Sequence, residues 1–459
     1  MLSSINRKDR PIRCAAALLL SVFALPVQAQ QAPAIPEEVA ASIRARVDAG
    51  DNPAIIVGVI DAGGTTLYAY GRVGPEQDAA PDAHTVFEIG SITKAFTGLL
   101  LAEMAARGEV ALDDPVARYL PEGVSMPGGE AITLAHLASH TSGLPRLPTN
   151  FAPADMGNPY ADYTAEQLYA FLNAYTLPRA PGEQYAYSNL GMGLLGHVLA
   201  RRAGTDYETL LRERILGPLG LGDTGIALTE DQRARLATGY RDGRPVAYWD
   251  LPALAGAGAL RSTADELLRF LAAHLGLAGT PLDAVMDEAT TPRAEAAGPN
   301  HVGLGWHVRR TDRSEMVWHN GGTGGFSSFA GYDPARGRGV VVLANSSADV
   351  DDLGAHILDP TVPLAEVRVP VDVAPEVLER YVGTYQIAPT FSIVIIREED
   401  RLFAQATGQP QFSIYPSSDS TFFLKAVEAE LHFQVDAEGV VQGVVLHQNG
   451  RQMPGRRME

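Results

Sequence analysis

In 459 residues the chain holds one cysteine, Cys14, and three lysines, Lys8, Lys94 and Lys425. Cys14 lies in a stretch that reads as a cleaved leader, so the mature chain has no disulfide, no thiol nucleophile and no thiolate metal site. No later stretch approaches eighteen apolar residues, so no transmembrane anchor is expected. Basic side chains are scarce as well: 36 Lys and Arg stand against 54 Asp and Glu, a net charge of −18 at pH 7. Such an acidic surface argues against nucleic acid and anionic membranes as partners. His136, His140, His197, His301, His307 and His319 make no paired metal spacing on one expected helix, so neither a metal nor another cofactor is expected. The expected partner is a small-molecule or peptide substrate, and the sequence leaves a homo-oligomer open.

The leader spans residues 1–29. Arg7, Lys8, Arg10 and Arg13 precede an apolar run from Cys14 to Val27, and Val27-Gln28-Ala29 supplies a small-x-small cleavage site. Export to the periplasm or beyond follows.

The scarcity of lysine gives Lys94 its interest. This chain writes positive charge almost everywhere as arginine, yet it keeps a lysine in Phe87-Glu88-Ile89-Gly90-Ser91-Ile92-Thr93-Lys94. Arginine cannot give up its proton, whereas a buried lysine can, as a proton-abstracting base must. At its usual pKa of about 10.4 a lysine is almost wholly charged at pH 7, and each unit of lowering costs about 1.4 kcal/mol. Ile92, Ala95, Phe96, Leu99, Leu100 and Met104 recur at helical spacing up to Gly108, so Ser91 to Arg107 reads as a helix with a buried face. Ser91 and Lys94 then lie one turn apart on the same face, and Ser91 sits where unpaired N–H groups stabilise an oxyanion.

The rest of the chain divides into three. Ala34 to Ala49 reads as an amphipathic helix, followed by strands at Ala54 to Asp61 and Thr66 to Arg72 joined in a hairpin. Helix patterns dominate from about residue 132 to 275, and strand patterns return at Val302 to Arg309, Glu315 to His319, Phe326 to Tyr332 and Val340 to Asn345. The implied class is α+β: one antiparallel sheet closed by both ends of the unit, flanked by helices, with a helical subdomain inserted and the active site between the two parts. Extended Pro- and Val-rich chain from Thr361 to Val373 reads as a linker, and seven or eight short strands in the last ninety residues favour a small all-β barrel or sandwich. The expected division is residues 30–365 and residues 366–459.

Two further stretches bear on the serine and lysine. Tyr187-Ser188-Asn189 precedes a helix, so Tyr187 and Asn189 project from a loop at a helix start; a tyrosine hydrogen-bonded to a lysine ammonium can be held partly as phenolate and relay a proton. His319-Asn320-Gly321-Gly322-Thr323-Gly324-Gly325 places four glycines beside a strand, which lets a substrate backbone approach and offers an oxyanion donor.

Gly90-Ser91-Ile92-Thr93-Lys94, Tyr187-Ser188-Asn189 and His319-Asn320-Gly321-Gly322-Thr323-Gly324-Gly325, in that order, resemble the three active-site elements of the class C beta-lactamase-related serine hydrolases, a family that includes D-amino-acid-specific peptidases, DD-carboxypeptidases and esterases. Leu112-Asp113-Asp114-Pro115 and His140-Thr141-Ser142-Gly143-Leu144 sit where such proteins carry similar stretches, and the likeness runs from about residue 37 to 350. The resemblance implies a beta-lactamase or penicillin-binding-protein-like fold. It further implies Ser91 as acylated nucleophile, Lys94 and Tyr187 as general-base pair, Asn189 as substrate-amide ligand, and the N–H groups of Ser91 and Gly322 as oxyanion hole. His319, Gly321, Gly322 and Thr323 would line the substrate strand. The last ninety residues resemble the lipocalin-like barrels appended to some members.

One position departs from the family pattern. Class C beta-lactamases usually carry a lysine where this chain has His319, and that charge helps bind the acidic group of the antibiotic. The expected activity is therefore hydrolysis of a peptide, D-amino-acid amide or ester through an acyl-serine, with dedicated beta-lactamase activity disfavoured. Two rival readings remain at the level of sequence: a penicillin-binding-type sensor that traps cell-wall peptide without turnover, and a barrel whose binding of an apolar ligand is the main function. His140 reads as a loop histidine, Asp113 and Asp114 as turn and cap residues, and Trp306, Trp318 and Phe326 as core. Glu183 reads equally as a partner of Lys94 or Tyr187 and as a turn cap.

Overall fold

The structure is a computed structural model that describes residues 32–75, 79–311, 314–409, 411–425, 427, 429–448 and 450–458. The leader, residues 1–29, lies outside the described residues.

An eight-stranded antiparallel sheet forms the body. Its order is Gly64–Gly71, Ala54–Asp61, Arg338–Ala344, Ser327–Asp333, Glu315–Gly322, His307–Arg310, Asn300–Val302 and Ala294–Glu295. The N-terminal hairpin thus pairs with the last strand of the body, Ile55 opposite Ala344 and Ile60 opposite Gly339. Ala54–Asp61 is apolar at nearly every position because both of its faces are covered. Ile55, Val57 and Val59 pack under the helices Glu37–Asp48 and Asp351–Leu358. On the other face Ile56 joins the large core that contains the helices Thr93–Ala106, Asn189–Ala203 and Ala264–His274.

The expected helices and strands are found with small differences at their ends. The stretch around Ser91 opens as a 3-10 turn, Gly90–Ile92, before the α-helix Thr93–Ala106. Gly90 has a φ of +48°, and the chain enters the helix from that left-handed turn. The strand expected over Val302 to Arg309 is broken into Asn300–Val302 and His307–Arg310 by a bend at Gly305, whose φ is +78°.

No regular element lies between Leu358 and Pro375, where the linker was expected. Eight antiparallel strands then close into a barrel, the first pairing with the last at Tyr385 and Arg457. Side chains pack its interior: Tyr381, Tyr385, Phe422 and Phe433 lie ring to ring at 4.3–5.6 Å. The barrel docks on the body through Lys425, whose Nζ pairs with Asp51 and donates to the Ala49 carbonyl at 3.1 Å, and through Arg401, which donates to the Asp242 carbonyl at 2.8 Å.

Candidate active site

Ser91 sits half-buried in the Gly90–Ile92 turn, with Lys94 below it in the first turn of the helix. Lys94 is wholly enclosed, 0 % exposed. Its Nζ lies 2.8 Å from Ser91 Oγ and donates to the Ala257 carbonyl at 2.6 Å. Desolvation holds the amine well below its usual pKa, and the nearby Arg146 cation lowers it further. Neither of the two contacts is a carboxylate, so the charged form has no counter-ion in this pocket.

Ala257 belongs to a turn that the sequence reading passed over. Thr97, one helical turn beyond Thr93, donates to the Gly256 carbonyl at 2.8 Å and shares a 2.7 Å hydrogen bond with Tyr207. These bonds fix the carbonyl that holds the lysine. The small residues of Ala253-Leu254-Ala255-Gly256-Ala257 were the available signal: a Cβ at Gly256 would stand 2.9 Å from the Met192 carbonyl.

Tyr187 reaches the same point from the loop before the Asn189–Ala203 helix. Its ring centroid is 4.9 Å from Lys94 Nζ, and its phenol is within hydrogen-bonding reach of Ser91. Burial drives the phenol pKa well above its usual value, against the smaller pull of the Ser91 hydrogen bond and Arg146. This differs from the expected lysine-held phenolate. Burial favours the uncharged form of both groups.

Three histidines surround Tyr187. The rings of His140, His319 and His307 lie 4.5, 6.2 and 6.4 Å from it. Burial lowers all three pKa values, His307 to about 4, and the neighbouring Lys94 adds to the lowering in each. All three are neutral at pH 7. His140 is the structural loop residue expected, with φ +58° and Nδ1 accepting from the Ser188 amide at 3.1 Å, but it also packs on Tyr187.

The glycine-rich strand closes the other side. Glu315–Gly322 pairs with Ser327–Asp333 up to Gly322, but with His307–Arg310 only up to Trp318. From His319 to Gly322 one strand edge is therefore open. A Cβ at Gly90 would lie 2.8 Å from the Gly322 nitrogen, so the serine turn and the strand end are in backbone contact there. Gly322 is exposed, with open space over its own Cα.

The remaining expected residues differ in what they contact. Asn189 Nδ2 donates to the Tyr160 hydroxyl at 3.3 Å, and its Oδ1 is buried without a partner. Gly321 is a spacer, since a Cβ there would stand 2.0 Å from the Ile89 carbonyl. Thr323 is buried, with its side chain near the Glu88 carboxylate. His319 is 1 % exposed, with Nδ1 held at 2.6 Å by the Asn320 carbonyl and Nε2 buried without a partner. Glu183 caps a turn by accepting from the Ala180 amide, and Asp114 accepts from the Ala111 amide, as turn residues.

Over residues 39–359 the chain matches the Beta-lactamase family, and over residues 367–457 a domain of unknown function, DUF3471. It is 31% identical over 306 residues to the D-alanyl-D-alanine-carboxypeptidase/endopeptidase AmpH of Escherichia coli K12, covering 63% of this chain and 78% of the relative. A penicillin-binding protein of Bacillus subtilis is 25% identical over 430 residues, covering 84% of this chain and 91% of its own. Among solved structures, the class C beta-lactamase of Rhodobacter sphaeroides superposes with a TM-score of 0.61 at 26% identity, covering 70% of this chain and 96% of that one. With its antiparallel sheet, its serine and buried lysine and the match along the whole body, the chain belongs to the beta-lactamase family of serine hydrolases.

Proposed function

We propose that the protein is an exported hydrolase that cleaves a peptide, D-amino-acid amide or ester through an acyl intermediate on Ser91. The observation that carries this reading is the enclosed Lys94 amine 2.8 Å from Ser91 Oγ, where burial drives its pKa down. As Oγ attacks the substrate carbonyl, Lys94 Nζ takes its proton. The carbonyl oxygen becomes an oxyanion between the amides of Ser91 and Gly322. Collapse of the tetrahedral intermediate breaks the bond to the leaving group, which takes a proton from the Tyr187 phenol; Lys94 returns the proton to Tyr187. Water then attacks the acyl-serine by the same route.

Substrate is held as an added strand on the open edge from His319 to Gly322, with its amide N–H on the unpartnered Asn189 Oδ1. The AmpH relative's carboxypeptidase and endopeptidase names point to the same class of bond. The neutral, buried His319 disfavours a dedicated beta-lactamase, because the strand offers no cation to the acidic group of the antibiotic. The composition of residues 1–29 supports export, and the linker supports a division near residue 365.

Intact-mass measurement during turnover of nitrocefin, a D-alanyl anilide and a short-chain nitrophenyl ester tests the reading, with Ser91→Ala as control. A transient adduct on the wild type and none on the variant is expected. An adduct that never leaves, or turnover surviving in Ser91→Ala, overturns it.

A further inference from the structure

His319 puts no charge on the glycine-rich strand at pH 7, but the cleft is not without positive charge. Arg146 follows the Thr141-Ser142-Gly143-Leu144-Pro145 loop, and its guanidinium carbon stands 5.0 Å from the centre of the Tyr187 ring. The loop is tied to the same helix start that carries Tyr187 and Asn189. Ser188 Oγ donates to the Pro145 carbonyl at 2.6 Å, and the amides of Asn189 and Leu190 donate to the Arg146 carbonyl at 3.1 and 3.2 Å. The backbone of Arg146 is therefore fixed relative to the reacting serine.

Its side chain is exposed to solvent. Among the described residues the guanidinium forms no ion pair and no hydrogen bond to the protein, whereas the buried Arg261 is paired with Glu88 at 3.1 Å. A guanidinium lying against an aromatic ring keeps its in-plane N–H groups free, and two of them match the oxygens of a carboxylate. In a chain of net charge −18, an unpaired cation at the rim of the reacting centre is a selective feature.

We propose that Arg146 is the residue by which this cleft recognises a carboxylate on its substrate, so that the preferred substrates carry an anionic group near the scissile carbonyl, as a peptide with a free C-terminus does. The inference rests on Ser91 being the nucleophile and names the substrate class of that site. The recognising charge has moved from the glycine-rich strand, where His319 is neutral, to the loop against Tyr187 and Asn189.

The test compares kcat/KM for an acylated D-alanyl-D-alanine peptide, its C-terminal carboxamide and a neutral nitrophenyl ester, on wild type, Arg146→Gln and Arg146→Lys. The wild type is expected to prefer the acid over the carboxamide by at least about tenfold, the effect of one charge-assisted bidentate contact. In Arg146→Gln that ratio falls toward one, chiefly through KM, and Arg146→Lys restores part of it. A wild-type ratio near one overturns the proposal. So does a loss in Arg146→Gln shared equally by acid, carboxamide and ester, since Arg146 would then act only through Tyr187 and Lys94. Failure of the underlying hydrolase reading looks different: no adduct forms at Ser91 with any of the three compounds.

Discussion

The groups packed around Ser91 and the tyrosines inside the barrel are both buried, and they meet that burial differently. In the barrel, the buried tyrosines place their hydroxyls on backbone carbonyls, Tyr381 on Asp419 at 2.6 Å and Tyr385 on Tyr381 at 2.8 Å. Around Ser91 the chain buries an amine without a counter-ion, and leaves His140 Nε2, His319 Nε2 and Asn189 Oδ1 unpartnered. Unsatisfied buried groups lower stability, so the three beside Ser91 mark a place where the fold gives up stability for chemistry. The barrel shows what the same chain does where packing alone is at stake.

Substitutions that exchange the two behaviours give the largest effects. Lys94→Met removes the proton acceptor while keeping an apolar side chain of similar length, and turnover is expected to fall by about a thousandfold or more. Its melting temperature is expected to hold or rise, because a buried amine is replaced by a group with no desolvation cost. A marked fall in Tm with turnover retained would erase the contrast. Phe433→Ala in the barrel should do the reverse, costing about 3–5 kcal/mol of stability by opening a cavity while the acylation rate of the remaining folded protein stays near that of the wild type. Denaturant unfolding and single-turnover kinetics on the same sample read both quantities.

The pH dependence sharpens the same point. In the folded chain Lys94 is neutral at pH values where the unfolded chain binds its proton, so the unfolded state holds one more proton between the lowered pKa and the usual 10.5. Stability therefore rises with pH across that window, by about 1.4 kcal/mol per unit from this group, and the term vanishes in Lys94→Met. The difference between the two stability curves isolates it from the other titrating groups. A flat difference curve would mean that Lys94 is charged in the folded state. The same group sets the acid limb of the rate, since protonation of Lys94 removes the base. His307, at about 4, should add no limb between pH 5 and 8.

How much of this was legible beforehand follows from where each signal resides. Ser91 and Lys94 could be read because a helix fixes i and i+3 on one face, and because lysine is so rare in this chain. The sheet and the barrel followed from apolar alternation, which local sequence carries. Arg146, His307 and Ala257 were not legible, because they reach the site through contacts that no short stretch encodes. Ala257 contributes a carbonyl, a group every residue has, and Arg146 acts through a loop tied to Ser188 and Asn189, some forty residues along the chain. The resemblance placed Thr323 among the substrate-strand residues, and the strand itself ends one residue earlier, at Gly322, with Thr323 buried near Glu88.

The smallest expected effect tests the strand side of the cleft. His319→Lys places a cation on the glycine-rich strand, and hydrolysis of an anionic cephalosporin should improve relative to a neutral ester. The gain is held to about threefold to tenfold, below what a free charge pair gives, for two reasons. The position is 1 % exposed, so a lysine there pays for desolvation, and Lys94 stands close enough to influence the native histidine. The new ammonium and the base disfavour each other's charge, so Lys94 becomes harder to protonate and the acid limb of the rate moves to lower pH. A cephalosporin-to-ester ratio equal to that of the wild type would show that the strand does not set anion preference, leaving Arg146 as the cleft's means of holding a carboxylate.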